Sequence, residues 1–260
     1  MNTRNPLLIA NWKMQLTVQQ TVQLITELRR EVRHYRGPVQ LVACPSFTSL
    51  PEAHRRLVGS KIRLGAQDVF WDDRGPYTGA ISPLMLRELG VEYVIVGHSE
   101  RRHHLGETDD MVARKMVSAL AHGLQPILCV GESTAERSQG VRETVVRRQL
   151  TEAFRSLPPP SQGRRIAVVY EPIWAIGTGM PADPDQATEM RNIIHQTLID
   201  LYAPTLVDRQ FLILYGGSVD PQNICDYIRG ERFDGALVGT ASLNAQTFVT
   251  MLKEVSDCLS

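Results

Sequence analysis

The chain has 260 residues, 43% hydrophobic and 22% charged, an ordinary globular balance that argues against a disordered polypeptide. Its 28 lysines and arginines offset 28 aspartates and glutamates, so the formal net charge is zero and a broad basic face for nucleic acid is not expected. No run approaches the roughly 20 apolar residues that span a bilayer, and the short apolar stretch near the start is too brief for a secretion signal, so a cytoplasmic protein with no membrane partner is expected.

Eight short apolar runs recur along the chain. The first is Leu7–Asn11, followed by a helical segment over Thr17–Tyr35 in which Val18, Val22, Ile25, Leu28 and Val32 fall on one face. The next three runs are Val39–Cys44, Ile62–Gln67 and Val91–Gly97. A helical segment over Met111–Ala121 leads to the fifth run, Leu124–Gly131, and another over Val141–Leu157 leads to the sixth, Arg165–Glu171. The seventh and eighth, Phe211–Gly217 and Gly235–Gly239, precede a last helical segment over Thr247–Leu259. Several runs are β-branched without polar alternation, as in strands buried on both faces of a parallel sheet. Eight strand-then-helix units with no linker between them predict one α/β domain over residues 1–260, a closed (β/α)8 barrel with outer helices. An open doubly wound sheet is the alternative, but the first strand runs into Asn-Trp-Lys instead of a glycine fingerprint.

In such barrels the chemistry sits where strands end, at the C-terminal face. There the chain offers Asn11 and Lys13 after the first strand, His98 and Glu100 after the fourth, and Glu171 after the sixth. Taken singly, a lysine there is usually a solvated charge and a histidine a structural hydrogen-bonder. Together on one rim they suit proton abstraction beside a carbonyl. The carboxylate takes the proton from carbon, and the lysine and imidazole stabilise the enediolate oxygen. The loops YGGS and GTAS, after the seventh and eighth strands, precede helical segments and offer main-chain N–H groups to a phosphate. A small phosphorylated anion is therefore the expected substrate.

The stretch VVYEPIWAIGTGMPADP from Val168 places Ile173, Trp174, Ala175 and Ile176 in a loop flanked by Pro172 and Pro184. Gly177, Thr178 and Gly179 follow, and the glycines let main-chain N–H groups approach a phosphate. An enediolate attached to a phosphate is prone to eliminate it, so this apolar loop reads as a lid that excludes water.

The segments ANWKM, GHSERR, LCVGE, YEPIWAIGTG, YGGSV and VGTASL stand in the order and spacing of the triosephosphate isomerase family, which the chain resembles from Asn11 to Leu243. The resemblance implies interconversion of dihydroxyacetone phosphate and D-glyceraldehyde 3-phosphate in glycolysis and gluconeogenesis, with no cofactor and no metal. By the same resemblance Glu171 is the base, His98 the neutral electrophile and Lys13 the cation at the developing enediolate. Asn11 orients Lys13 and the substrate, and Glu100 pairs with the lysine. Asn11, Lys13, Gly177, Ser218, Gly239 and Thr240 are the implied substrate and phosphate ligands. Pro172 to Gly179 form the implied lid, with Tyr215 and Ser218 as its latch. A homodimer is also implied, through the loop Phe70–Gly79 inserting beside a neighbour's Lys13. Phe70, Trp71 and Tyr77 would otherwise be wasted on solvent.

The chain departs from the family pattern at four positions. Thr240 replaces a glycine, Ala80 a common glutamate, Met180 a frequent lysine and Gln15 a common asparagine. Ala80 implies that Arg101 lacks its usual partner across the subunit boundary. Two alternatives stay open: an isomerase of a four-carbon sugar phosphate, motivated by Thr240, and a catalytically silent sugar-phosphate-binding relative. Among the four cysteines there is no CxxC pair and no metal-ligand spacing. Cys44, Cys129 and Cys225 read as buried, reduced thiols.

Overall fold

A computed structural model describes residues 5–160, 164–175, 181–230 and 232–259. The eight strands pair in chain order, every pair parallel, and the last closes onto the first. They are β1 Leu7–Asn11, β2 Gln40–Cys44, β3 Ile62–Ala66, β4 Tyr93–Val96, β5 Gln125–Val130, β6 Ile166–Tyr170, β7 Phe211–Tyr215 and β8 Gly235–Val238. Around them run α1 Val18–Val32, α2 Leu50–Leu57, α3 Pro83–Glu88, α4 Ser99–Leu105, α5 Asp109–Ala121 and α6 Thr134–Ser138. The ring continues with α7 Arg142–Phe154, α8 Pro184–Leu201, α9 Pro204–Gln210, α10 Ile224–Ile228 and α11 Ala245–Cys258. The predicted (β/α)8 barrel is present.

Strand alternation divides the core in two. Leu7 and Ile9, Ile127 and Cys129, Ala167 and Val169, Leu212 and Leu214, and Leu237 belong to a cluster inside the barrel. Their neighbours Leu8, Ala10, Leu128, Val130, Val168 and Ile213 join the larger cluster beneath the helices. Because the period is two, the next inward positions at the C-terminal rim are Asn11, Gly131, Glu171, Gly216 and Gly239. Three of these five are glycines, so the top layer lacks the bulk that fills the layers below. The barrel opens there into a cleft.

Helix α1 differs in its face from the sequence expectation. Thr21, Leu24, Ile25, Leu28 and Val32 are its buried residues, and Val18 is exposed. The stripe is rotated because Thr21 Oγ1 donates to Ser49 Oγ beneath the helix, an inward position that apolar periodicity does not reveal.

The cysteines also require a correction. Cys44 and Cys129 are buried thiols, but Cys225 is joined to Cys258 by a disulfide across 33 residues of sequence. The packing of α10 against α11 brings the two together.

Arg101 has partners within its own chain. Its guanidinium lies 2.8 Å from Asp68 and 2.5 Å from Glu107. Lys115 Nζ, almost wholly buried, completes the group at 2.6 Å from Asp68 and 2.7 Å from Glu107. Two cations thus face two carboxylates under the start of α4.

Candidate active site

The end of β1 holds Lys13 from two sides. Asn11 Oδ1 accepts the Lys13 N–H at 3.1 Å, and Gln67 Nε2 donates to the Lys13 carbonyl at 2.9 Å while also reaching the Cys44 carbonyl. Lys13 has φ 50°, the single positive φ outside glycine among the described residues. Such a backbone is unfavourable for a side chain of this size and persists because neighbours over-determine it. The lysine Nζ lies 2.5 Å from Glu100 Oε1.

His98 caps the start of α4. Its Nδ1 accepts the Glu100 N–H at 3.2 Å. A ring nitrogen that accepts a main-chain N–H carries no proton, so the hydrogen-bond network assigns the imidazole proton to Nε2. That nitrogen lies 3.1 Å from Glu171 Oε1. The other carboxylate oxygen accepts the Ser99 N–H at 2.9 Å. Glu171 is 2% exposed.

Two glycines make room for Glu171. A side chain at Gly131 would overlap the Glu171 carbonyl, and one at Gly216 would come 3.0 Å from Glu171 Cγ. Cys129 sits below, where burial first and the Glu171 carboxylate second push its thiol well above the usual range. It is a protonated filler rather than a nucleophile.

A cleft of about 410 Å³ is lined by Asn11, Lys13, His98, Glu171, Ser218, Gly239 and Thr240, together with Gly216, Gly217 and Leu237. Glu100 reaches it through Lys13. Gly239 stands beside the lysine stem, where an added Cβ would lie 3.6 Å from Lys13 Cε. Thr240 begins the 3-10 turn Thr240–Leu243 and is exposed at the mouth.

After Glu171 and Pro172 the chain makes the 3-10 turn Ile173–Ala175. Glu132 organises it: the Glu132 carbonyl accepts the Ile173 N–H at 3.2 Å, and Glu132 Oε1 accepts the Trp174 indole N–H at 2.8 Å. Ser218 Oγ donates to the Ala175 carbonyl at 3.1 Å. Further on, Tyr215 OH accepts the Ala182 N–H at 3.3 Å, and Tyr227 OH donates to the Ala182 carbonyl at 2.5 Å. The expected lid positions Ile176, Gly177, Thr178 and Gly179, and the departure at Met180, lie outside the described residues.

The structure adds residues that the sequence reading had not singled out. The Ser99 N–H is a main-chain donor with no side-chain signature. Gln67 works through backbone contacts only. Glu132 had a signal, since it closes LCVGE at the end of β5 on the same rim.

Comparison with known proteins decides the family. The triosephosphate isomerase family model matches residues 6–255. The chain belongs to the triosephosphate isomerase family. Its relatives with that name include a protein of Thermoanaerobacter sp. (strain X514), 45% identical over 249 residues, which are 96% of this chain and 99% of the relative. One from Roseiflexus castenholzii is 46% identical over 253 residues, 97% of this chain and 98% of the relative. One from Dictyoglomus thermophilum is 43% identical over 250 residues, 96% and 99% of the two chains.

Proposed function

We propose that the chain interconverts dihydroxyacetone phosphate and D-glyceraldehyde 3-phosphate through an enediolate. The observation that carries the reading is the juxtaposition of Glu171 Oε1 and His98 Nε2 at 3.1 Å in one cleft with Lys13. Glu171 takes a proton from the hydroxyl-bearing carbon beside the carbonyl, the C–H electrons form a C=C bond, and the carbonyl π pair moves onto its oxygen. The His98 N–H and the Lys13 ammonium meet that oxygen as its charge grows. The proton of the adjacent hydroxyl passes to that oxygen, and Glu171 returns its own proton to the former carbonyl carbon as the new carbonyl forms, so no cofactor enters the balance. The phosphate takes main-chain N–H groups of Ser218, Gly239 and Thr240, with Lys13 alongside. The test is kcat/KM for D-glyceraldehyde 3-phosphate with Glu171→Gln as control. High activity abolished by the substitution is expected, whereas weak activity that the substitution leaves alone rejects the reading. The family match does not favour the four-carbon and silent alternatives.

The proposed assembly is a homodimer, in the cytoplasm where glycolysis runs. A groove lined by Met14, Phe47, His104 and Leu105 opens beside Lys13 and Glu100, and Met14 is 95% exposed there. The aromatic loop that would fill a neighbour's groove is pre-folded: Phe70 stacks on Trp71 at 4.0 Å and meets Tyr77 at 4.5 Å. Among the described residues no helix is long and apolar enough to cross a membrane.

A further inference from the structure

Arg137, in the short helix α6, takes no part in the chemistry proposed above and has no role in any motif quoted. Its guanidinium nevertheless sits over the Trp174 ring, 3.5 Å from the ring centre. The same side chain donates from Nη2 to Gln186 Oε1 at 2.9 Å. Trp174 belongs to the turn that leaves Glu171, and Gln186 lies in the first turn of α8. One arginine from a third element thus bridges the turn carrying the base to the helix that follows it.

Beneath the indole the arrangement is tight and charged. Glu132 is fully buried, and its Oε1 receives both the Trp174 N–H at 2.8 Å and the Tyr170 hydroxyl at 3.1 Å. Its Oε2 has no hydrogen-bond donor among the described residues. A buried carboxylate so placed relies on nearby cations and on exclusion of water. The fields of Arg142 and Arg137 both reach this region, where they oppose the upward push that burial and Glu132 exert on Tyr170. The indole is therefore held from below by a carboxylate that needs cover and from above by a cation that prefers an aromatic face.

We propose that Arg137 is a positioning residue for the proton-transfer base, bracing through Trp174 the turn on which Glu171 is carried. The turn is short: Trp174 is three residues beyond Glu171, and the Ile173 N–H is already tied to the Glu132 carbonyl. Without the arginine, Trp174 is free to lift off Glu132, and the backbone immediately after the base loses its outer support. The effect falls on proton transfer, because Arg137 is absent from the cleft lining among the described residues.

This inference rests on the assignment of Glu171 as base, and the two are tested apart. Arg137→Met keeps an apolar side chain over the indole and removes the charge; Arg137→Lys restores the charge. The methionine variant is expected to lower kcat about 2- to 5-fold, the range of an exposed cation–π contact, with KM for D-glyceraldehyde 3-phosphate unchanged. Tryptophan emission should shift with it, since Trp12 is buried elsewhere and Trp71 lies under Arg114. Arg137→Lys should recover most of both signals. Unchanged kcat and emission in Arg137→Met would overturn the proposal. A fall in kcat that lysine does not rescue, accompanied by a lower melting temperature, would also overturn it, because that pattern marks general loss of structure. If Glu171→Gln is as active as the parent chain, the base assignment fails first, whatever Arg137 does.

Discussion

Glu171 and Ser99 are joined across the barrel rim by a hydrogen bond of 2.9 Å from the Ser99 N–H to Oε2, which leaves Oε1 turned to His98. The proposed base is therefore placed by a main-chain N–H on one side and an imidazole on the other. Glu171→Asp withdraws the carboxylate by one methylene and breaks this placement. A displacement of about 1 Å costs on the order of 10²-fold, so kcat should fall by about that factor while the protein stays folded. Steady-state kinetics with either triose phosphate check it.

Lys13 combines an unfavourable backbone with three fixed contacts, and it lines the same cleft as His98 and Glu171. Lys13→Ala should lower kcat/KM by about 10²- to 10³-fold, the scale for loss of one charge-stabilising donor. Near-normal kcat/KM in this variant would exclude the role.

The buried group of Arg101, Asp68, Glu107 and Lys115 balances two charges of each sign. Lys115→Met leaves two carboxylates facing one arginine and should destabilise the fold by about 3–5 kcal/mol, the range for breaking a buried pair. Denaturant unfolding measures it. The acid limb follows from the same group. Burial pushes the Glu107 carboxyl up, but Lys115 and Arg101 outweigh it and hold it below its ordinary value of 4.5. A carboxyl depressed in the fold adds stability above its unfolded value and loses it as pH falls through the folded one. Asp68, raised first by its burial, moves in the opposite sense and blunts that loss. Stability should therefore fall below about pH 4.5, and Glu107→Gln should flatten that limb.

The Cys225–Cys258 disulfide predicts a thiol count. Denatured without reductant the chain should show two reactive thiols, Cys44 and Cys129, and after reduction four. Closing a loop across 33 residues is worth about 3–4 kcal/mol in the chain-entropy account. Reduction, or Cys258→Ser, should lower the melting temperature by several degrees and leave kcat unchanged, since neither cysteine lines the cleft.

The proposed dimer predicts sedimentation at twice the 29.1 kDa chain mass. Leu105 is 66% exposed in the groove beside Lys13. Leu105→Glu should shift the species to monomer, because a charge at the centre of an apolar contact must be desolvated without a partner. A parent chain that sediments as a monomer contradicts the assembly.

Much of this protein is decided locally, and so is legible in its order of residues. Unbroken apolar runs of strand length mark strands buried on both faces, and eight of them alternating with helical segments predict the barrel that the pairing of β8 with β1 closes. Alternation with a period of two then carries Asn11 and Glu171 to the inward side of the rim, which is why these two candidate residues could be named from strand ends. Other features depend on which surfaces meet. Ala80 implied that Arg101 lacks its usual partner across the subunit boundary, and Asp68 and Glu107 reach it from within the chain, because the end of β3 and the start of α5 converge under α4. Cys225 and Cys258 are 33 residues apart and bond only because α10 packs on α11. The Ser99 N–H, the inward Thr21 and the arginine over Trp174 leave no trace in composition or periodicity. Each depends on a distance between segments, and that distance exists only once the barrel has closed.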